Sequence, residues 1–288
     1  MNTLKFKTVK VDGLDIFYRE AGNDSKPVIL LLHGFPSSSH MYRDLINDLS
    51  TDYHLIAPDY PGFGQSDAPS TSEYNYSFEN LALTINHFID ILELKKITLY
   101  VHDYGGPVGF RIASQRPDLI QALIIQNANA YSEGLGAALQ PLVDYIQNQN
   151  ADTEKEARGF LSFAATKWLY TDGAENISEI SPDGYTLDQY YLDRPGNDEI
   201  QLALFRNYGT NLTLYDNWHS YFRQHQPATL IISGKNDKLF LAAGAEAFKK
   251  DLKNVQLRLF NGSHFMLEEK HTEAALMIKS FLLRNGIK

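Results

Sequence analysis

Leu99-Tyr100-Val101-His102-Asp103-Tyr104-Gly105-Gly106-Pro107-Val108-Gly109-Phe110 decides the fold. An apolar run stops at His102-Asp103, two glycines follow at once, and helix-like spacing continues to Ser114 or beyond. This reads as strand, sharp turn and helix, with an acidic side chain at the tip. A carboxylate there loses hydration if it merely packs, and it gains if the backbone N–H groups at a helix start face it. Asp103 is therefore read as a nucleophile. Working outward, Pro27 to Leu32 is a continuous aliphatic run, as expected of a strand buried on both faces. Tyr53 to Pro58, Leu119 to Gln126, Ala228 to Ser233 and Val255 to Phe260 read as further strands. Helical spacing falls between them at Met41 to Leu49 and at Ser77 to Leu92, where Ser77 is a plausible N-cap, and the chain closes with Glu268 to Leu283. Residues 4–20 alternate around Val11-Asp12-Gly13-Leu14, a tight turn between two strands. Strands alternating with helices predict an α/β fold: a mostly parallel sheet covered by helices on both faces.

From about Asn129 to His225 the aliphatic runs vanish. Amphipathic segments replace them, with tyrosines at 131, 145, 170, 185, 190, 191, 208, 215 and 221, nine of the chain's 17. The pattern predicts a core of residues 1–128 and 226–288 with an inserted helical lid over 129–225.

Composition removes several classes of function. At 288 residues with 43% hydrophobic content, the chain can bury a substantial core. A net charge of −9 argues against a nucleic-acid partner, which needs basic surface. With no cysteine, disulfides and thiolate chemistry are excluded. Met1 to Lys7 carries no long apolar stretch of a secretory leader, and the most apolar run, Val28 to Leu32, is far too short to span a bilayer. A cytoplasmic protein acting on a small molecule and water, with no membrane partner, is the expectation.

Three polar residues lie just past three predicted strands: Asp103, Asp237 in Gly234-Lys235-Asn236-Asp237, and His264 in Gly262-Ser263-His264-Phe265. Taken singly, Asp103 and Asp237 read as helix caps or turn residues and His264 as a loop histidine. Taken together, they fall where parallel sheets form ligand sites, in the order nucleophile, acid, histidine. The stretch Gly62-Phe63-Gly64-Gln65-Ser66-Asp67 lacks the third glycine of a dinucleotide fingerprint, so no cofactor is expected. The nine histidines show no metal-binding spacing, so no metal is expected.

On these residues the chain resembles the epoxide hydrolase and haloalkane dehalogenase branch of the α/β-hydrolases. His33-Gly34-Phe35-Pro36 resembles that branch's His-Gly-X-Pro loop, and Asp59 to Asp67 its Asp-X-X-Gly-X-Gly-X-Ser stretch. Val101 to Gly106 resembles its elbow, with Asp in place of the serine of esterases; no Gly-X-Ser-X-Gly occurs. The residue choice has a chemical reason. A carboxylate attacking an acyl carbon makes an unstable anhydride, whereas at a saturated carbon it makes an ordinary ester. The resemblance implies a two-step cycle: Asp103 displaces the leaving group, then His264, oriented by Asp237, activates water to hydrolyse the ester. The backbone N–H groups of Phe35 and Tyr104 would hold the oxyanion.

The leaving group is read from departures. The dehalogenases usually place Trp after the nucleophile and often Asn in the His-Gly-X-Pro loop; here stand Tyr104 and Phe35, with Trp168 and Trp218 as substitutes in the lid. The fluoroacetate pattern needs Arg where Tyr104 and Pro107 stand. Epoxide opening needs an acid for the nascent alkoxide, which lid tyrosines supply in that family. Leu204-Phe205-Arg206-Asn207 resembles a segment carrying one of them, with Phe205 in its place. Tyr170, Tyr208 and Tyr215 are the candidate donors. An epoxide hydrolase-like enzyme is the leading reading, a haloalkane dehalogenase the alternative, and a ligand-binding protein on a hydrolase fold a third. His33 and His102 flank the site and are read as structural, and His219 and His225 as surface or hinge residues.

Overall fold

The computed structural model describes residues 3–288. Met1 and Asn2, the start of the segment read for a leader, lie outside the described residues. Eight strands form one sheet: β1 (Lys5–Val11), β2 (Leu14–Ala21), β3 (Val28–Leu32), β4 (His54–Pro58), β5 (Ile97–His102), β6 (Ile120–Gln126), β7 (Ala228–Gly234) and β8 (Val255–Phe260). Their spatial order is β1-β2-β4-β3-β5-β6-β7-β8. Only the β1–β2 and β2–β4 pairings are antiparallel, and the remaining five are parallel.

Burial follows from residue choice. β4 and β5 are buried at every position, and their aliphatic runs leave neither face to solvent. β1, at the edge, alternates polar and apolar residues and exposes its lysines. The predicted hairpin is β1 and β2, closed by Asp12-Gly13.

The helices of the first half are α1 (Arg43–Leu49), α2 (Phe78–Ile91) and α3 (Gly105–Gln115). Ser77 caps α2 as expected, its side chain accepting from the Asn80 amide. Between β6 and β7 come α4 (Gln140–Gln147), α5 (Ala151–Arg158), α6 (Phe163–Thr171), α7 (Pro182–Leu192), α8 (Asn197–Asn207), α9 (Gly209–Leu212) and α10 (Tyr215–His225), with no strand among the described residues. α11 (Ala242–Ala247) and α12 (Leu267–Arg284) complete the chain. α1 packs on α12, while α2 and α10 both pack on α3. No helix among the described residues is long and apolar enough to cross a membrane.

The turn from β5 into α3 is tight because Gly105 lies against β3. A Cβ built there would stand 2.2 Å from the Leu32 carbonyl oxygen, a backbone atom that cannot step aside. Gly105→Ala is expected to destabilise the fold by about 1–3 kcal/mol, the usual range for overpacking a rigid site, as read from the midpoint of urea unfolding.

Candidate active site

The three ordered polar residues converge at the carboxyl ends of β5, β7 and β8. Asp103 follows β5 directly, with φ at +48°, in the left-handed region that aspartate tolerates better than most residues. That conformation turns its side chain out of the strand line. His264 Nδ1 lies 2.7 Å from Asp237 Oδ2, and His264 Nε2 lies 3.9 Å from Asp103 Oδ2. All three side chains are buried.

Asp237 is fixed by several donors. Its Oδ1 accepts from the Leu239 and Phe240 amides at 2.8 and 3.2 Å, and its Oδ2 from Asn127 Nδ2 at 2.8 Å. A carboxylate so held can take the Nδ1–H of His264, which leaves Nε2 as the acceptor of the neutral ring. That nitrogen has no protein partner and points toward Asp103. Burial works to lower the His264 pKa, but the Asp237 charge and hydrogen bond, with Asp103 behind them, leave it raised.

Asp103 has two unlike oxygens. Oδ1 accepts from the Phe35 amide at 2.7 Å, and the Tyr104 amide also donates to the carboxylate. Oδ2 faces His264. Burial pushes the Asp103 carboxyl up to about 6 against the opposing pull of His264 and the two amides. The His-Gly-X-Pro loop comes this close because residue 34 is glycine: a Cβ there would stand 2.2 Å from the Asp103 Cβ. His33 takes the structural role expected. Burial holds its pKa at about 4, and its neutral Nε2 accepts from the Tyr60 amide at 3.1 Å, joining the two loops. His219 fastens α10, its Nε2 lying 2.7 Å from the Ala130 carbonyl oxygen.

The sequence reading missed Asn127, just past β6. Its carbonyl accepts from the Asp103 amide at 3.2 Å, its Oδ1 from the Gly234 amide at 3.0 Å, and its Nδ2 donates to Asp237. One side chain and its backbone thus tie the turn of Asp103 to the loop of Asp237. The rule that found the other three, a polar residue just past a strand of a parallel sheet, would have found it too.

A cavity of about 50 Å³ opens onto Asp103. Its walls are Phe35, Leu139, Leu142, Val143 and Ile146 with Phe160, Phe205 and Leu212, and its remaining polar side chains are Tyr104 and Tyr208. Of the three candidate donors, only Tyr208 reaches this space. Tyr170 bonds to Asp188 and stacks on Phe265 at 4.0 Å, and the Tyr215 hydroxyl accepts from Asn129 Nδ2 at 3.0 Å. Phe205 lines the cavity, with Tyr208 three residues further along the chain. Neither tryptophan does: Trp218 packs on Phe110 and Tyr215, and Trp168 lies by Lys238. The Tyr104 hydroxyl also escaped the sequence reading, which used the residue's backbone amide and its departure from the Trp and Arg of the dehalogenases. Its hydroxyl is buried without a protein partner, and its ring centroid lies 6.3 Å from that of Tyr208. Burial raises the pKa of both phenols, so both keep their protons at neutral pH.

A family model described as alpha/beta hydrolase fold matches residues 27–271. An uncharacterized hydrolase of Saccharomyces cerevisiae is 39% identical over 98% of this chain and 98% of its own length. Epoxide hydrolase 4 of Mus musculus is 27% identical over 98% of this chain and 80% of its length. Among solved structures, a haloalkane dehalogenase of Bradyrhizobium elkani superposes with a TM-score of 0.81 at 21% identity, covering 99% of each chain.

Proposed function

Because the chain belongs to the α/β-hydrolase family, we propose that it hydrolyses small, uncharged, apolar substrates at a saturated carbon, with an epoxide as the preferred group. One observation carries this reading: among the described residues, the only polar side chains lining the cavity beside Asp103 are two protonated phenols. A phenol gives a proton to a nascent alkoxide, which a departing halide does not need. The N–H donors of a halide site are missing, since neither tryptophan lines the cavity. The apolar wall offers no counter-charge for an ionic substrate.

Asp103 Oδ2 attacks an epoxide carbon, the C–O bond breaks with its electrons going to oxygen, and Tyr208 or Tyr104 protonates that oxygen. Oδ1, held by the Phe35 and Tyr104 amides, becomes the carbonyl oxygen of the ester. His264 Nε2 then takes a proton from water as that water adds to the ester carbon. The two amides receive the charge on Oδ1, and collapse returns Asp103 and a diol. The proton on His264 returns to the tyrosinate through solvent. Residues 129–225 act as a cap over the core of 1–128 and 226–288, in support of which α4, α8 and the turn into α9 wall the cavity above Asp103.

Offered 1,2-epoxyalkanes and 1-bromoalkanes of matched length, the enzyme should form diol at least about tenfold faster than it releases bromide. Bromide release as fast as diol formation would overturn the epoxide preference. Tyr208→Phe is expected to slow epoxide opening by about 10²-fold, the usual contribution of a general acid, with the melting temperature as the check on folding. The pH dependence follows from Asp103. Only the ionised carboxylate attacks, and its pKa is raised to about 6. Alkylation should therefore hold above that pH and fall roughly tenfold per unit below it, as read from the rate of ester formation in quenched single turnovers.

A further inference from the structure

We propose that Arg111, a buried cation on the helix that follows Asp103, is a positioning residue that sets the leaving-group acid Tyr208 over Asp103. The inference rests on the proposed function and adds a part of the machinery that neither the motifs nor the cavity wall contains. Arg111 is 3% exposed, unusual for an arginine. Its nearest carboxylate, Glu79 at 3.4 Å from Nε, is itself mostly exposed. The strong contacts of Arg111 go elsewhere. Nη1 donates to the Pro107 carbonyl at 3.0 Å and to Asn211 Oδ1 at 2.7 Å, and Nη2 donates to Thr210 Oγ1 at 3.3 Å. The guanidinium also lies 5.9 Å from the Phe78 ring centroid and 5.7 Å from that of Trp218.

Two of these contacts, those to Asn211 and Phe78, lead to Tyr208. Asn211 is 1% exposed, and its backbone amide donates to the Tyr208 carbonyl at 2.9 Å. Arg111 is thus two hydrogen bonds from the Tyr208 backbone. Phe78 stands edge-on to both phenols, 4.9 Å from the Tyr104 ring and 5.6 Å from the Tyr208 ring. The Phe78 amide in turn donates to Asn207 Oδ1 at 2.9 Å. Tyr104 needs no such brace, because it belongs to the turn that carries Asp103. Tyr208 comes from the segment between β6 and β7, and its distance from Asp103 depends on what ties that segment to α3. Arg111 is rooted in α3, so the acid and the carboxylate share one frame. Two planar donor edges suit this task better than a lysine's single charge.

The test follows the two chemical steps separately, by quenching single turnovers with 1,2-epoxyhexane and weighing the alkylated protein as it forms and decays. Arg111→Met keeps the bulk and removes the donors, and Asn211→Ala cuts the same link from the other side should the first variant fold poorly. Each is expected to slow ester formation by about tenfold or more while leaving ester hydrolysis within about twofold, because only the first step uses the acid. Adding Arg111→Met to Tyr208→Phe should slow ester formation no further, and Arg111→Lys should recover part of the loss. Equal slowing of both steps, or losses that multiply in the double variant, would overturn the assignment and leave Arg111 a purely structural residue. Absence of any ester even in His264→Phe, which cannot hydrolyse one, refutes the proposed nucleophile itself, and Arg111's role with it.

Discussion

Asp103→Ala is expected to lower epoxide hydrolysis by at least about 10⁴-fold, the scale on which enzymes lose rate with their nucleophile. Among the described residues, no second carboxylate lines the cavity to take over. What remains in this variant is His264 acting directly as a base on water, with a geometry built for attack on an ester that no longer forms. Folding must be checked, because residue 103 sits at φ +48°. Alanine is less at ease there than aspartate, by roughly 1 kcal/mol. Asp103→Asn keeps the short polar side chain that tolerates this conformation, and it should be just as inactive in initial rates. Steady-state diol formation, read beside circular dichroism of each variant, checks the claim. Activity within tenfold of the parent in both variants would leave Asp103 without the proposed role.

His264→Phe is expected to stop the cycle halfway. A burst of about one equivalent of epoxide should be consumed, and turnover should then fall by about 10³-fold or more, as when a general base is lost. The site accepts a phenyl ring, since His264 already packs among aromatic neighbours, with ring centroids 4.6 Å from His102, 5.2 Å from Phe265 and 5.9 Å from Phe240. Asp237 loses one donor and keeps Asn127 and two backbone amides. Mass spectrometry then reads the leaving group as well as the nucleophile. An opened epoxide keeps its oxygen, so the protein gains the whole substrate mass. A bromoalkane adds only its alkyl group in place of a proton. Peptide mapping should place either gain on Asp103.

Much of this site could be read from the sequence, for physical reasons. A parallel sheet buried on both faces needs unbroken aliphatic runs, and these fixed where β3, β5, β6 and β7 end. Polar residues just past such ends face a common crevice, so Asp103, Asp237 and His264 could be grouped without knowing any distance. The acid could not be found that way. Tyr170 and Tyr215 lie on helices and Tyr208 in the turn between α8 and α9, all set by packing between α4 and α10, and tyrosine is as good a packing residue as a proton donor. Tyr170 turned to Asp188 and Tyr215 to Asn129, while Tyr208 turned to the cavity. The Tyr104 hydroxyl was overlooked for a different reason. Its backbone had an obvious use, and nothing in the sequence reported that its hydroxyl would be buried without a partner. Arg111 looks in the sequence like an ordinary surface residue of an amphipathic helix, and only the docking of α9 and α10 on α3 buries it.

The strands that bracket the long helical segment are hydrogen-bonded neighbours, with Gln126 of β6 opposite Ile232 of β7. Because the two strands are parallel, the segment leaves past Gln126 at the carboxyl end of β6 and re-enters at Ala228, which lies beside Ala122 toward the opposite end of the sheet. An exchange of the whole segment would leave Asp103, Asp237 and His264 on their own strand ends, but it would also remove α10, which packs on α3 and leads back into β7. The cost is that Tyr208 and its mooring to Arg111 would depart with it. Each incoming segment would have to bring an acid of its own and a foothold on α3. Under the proposed function, the part of the chain that shapes most of the cavity wall is thus also the part that supplies Tyr208.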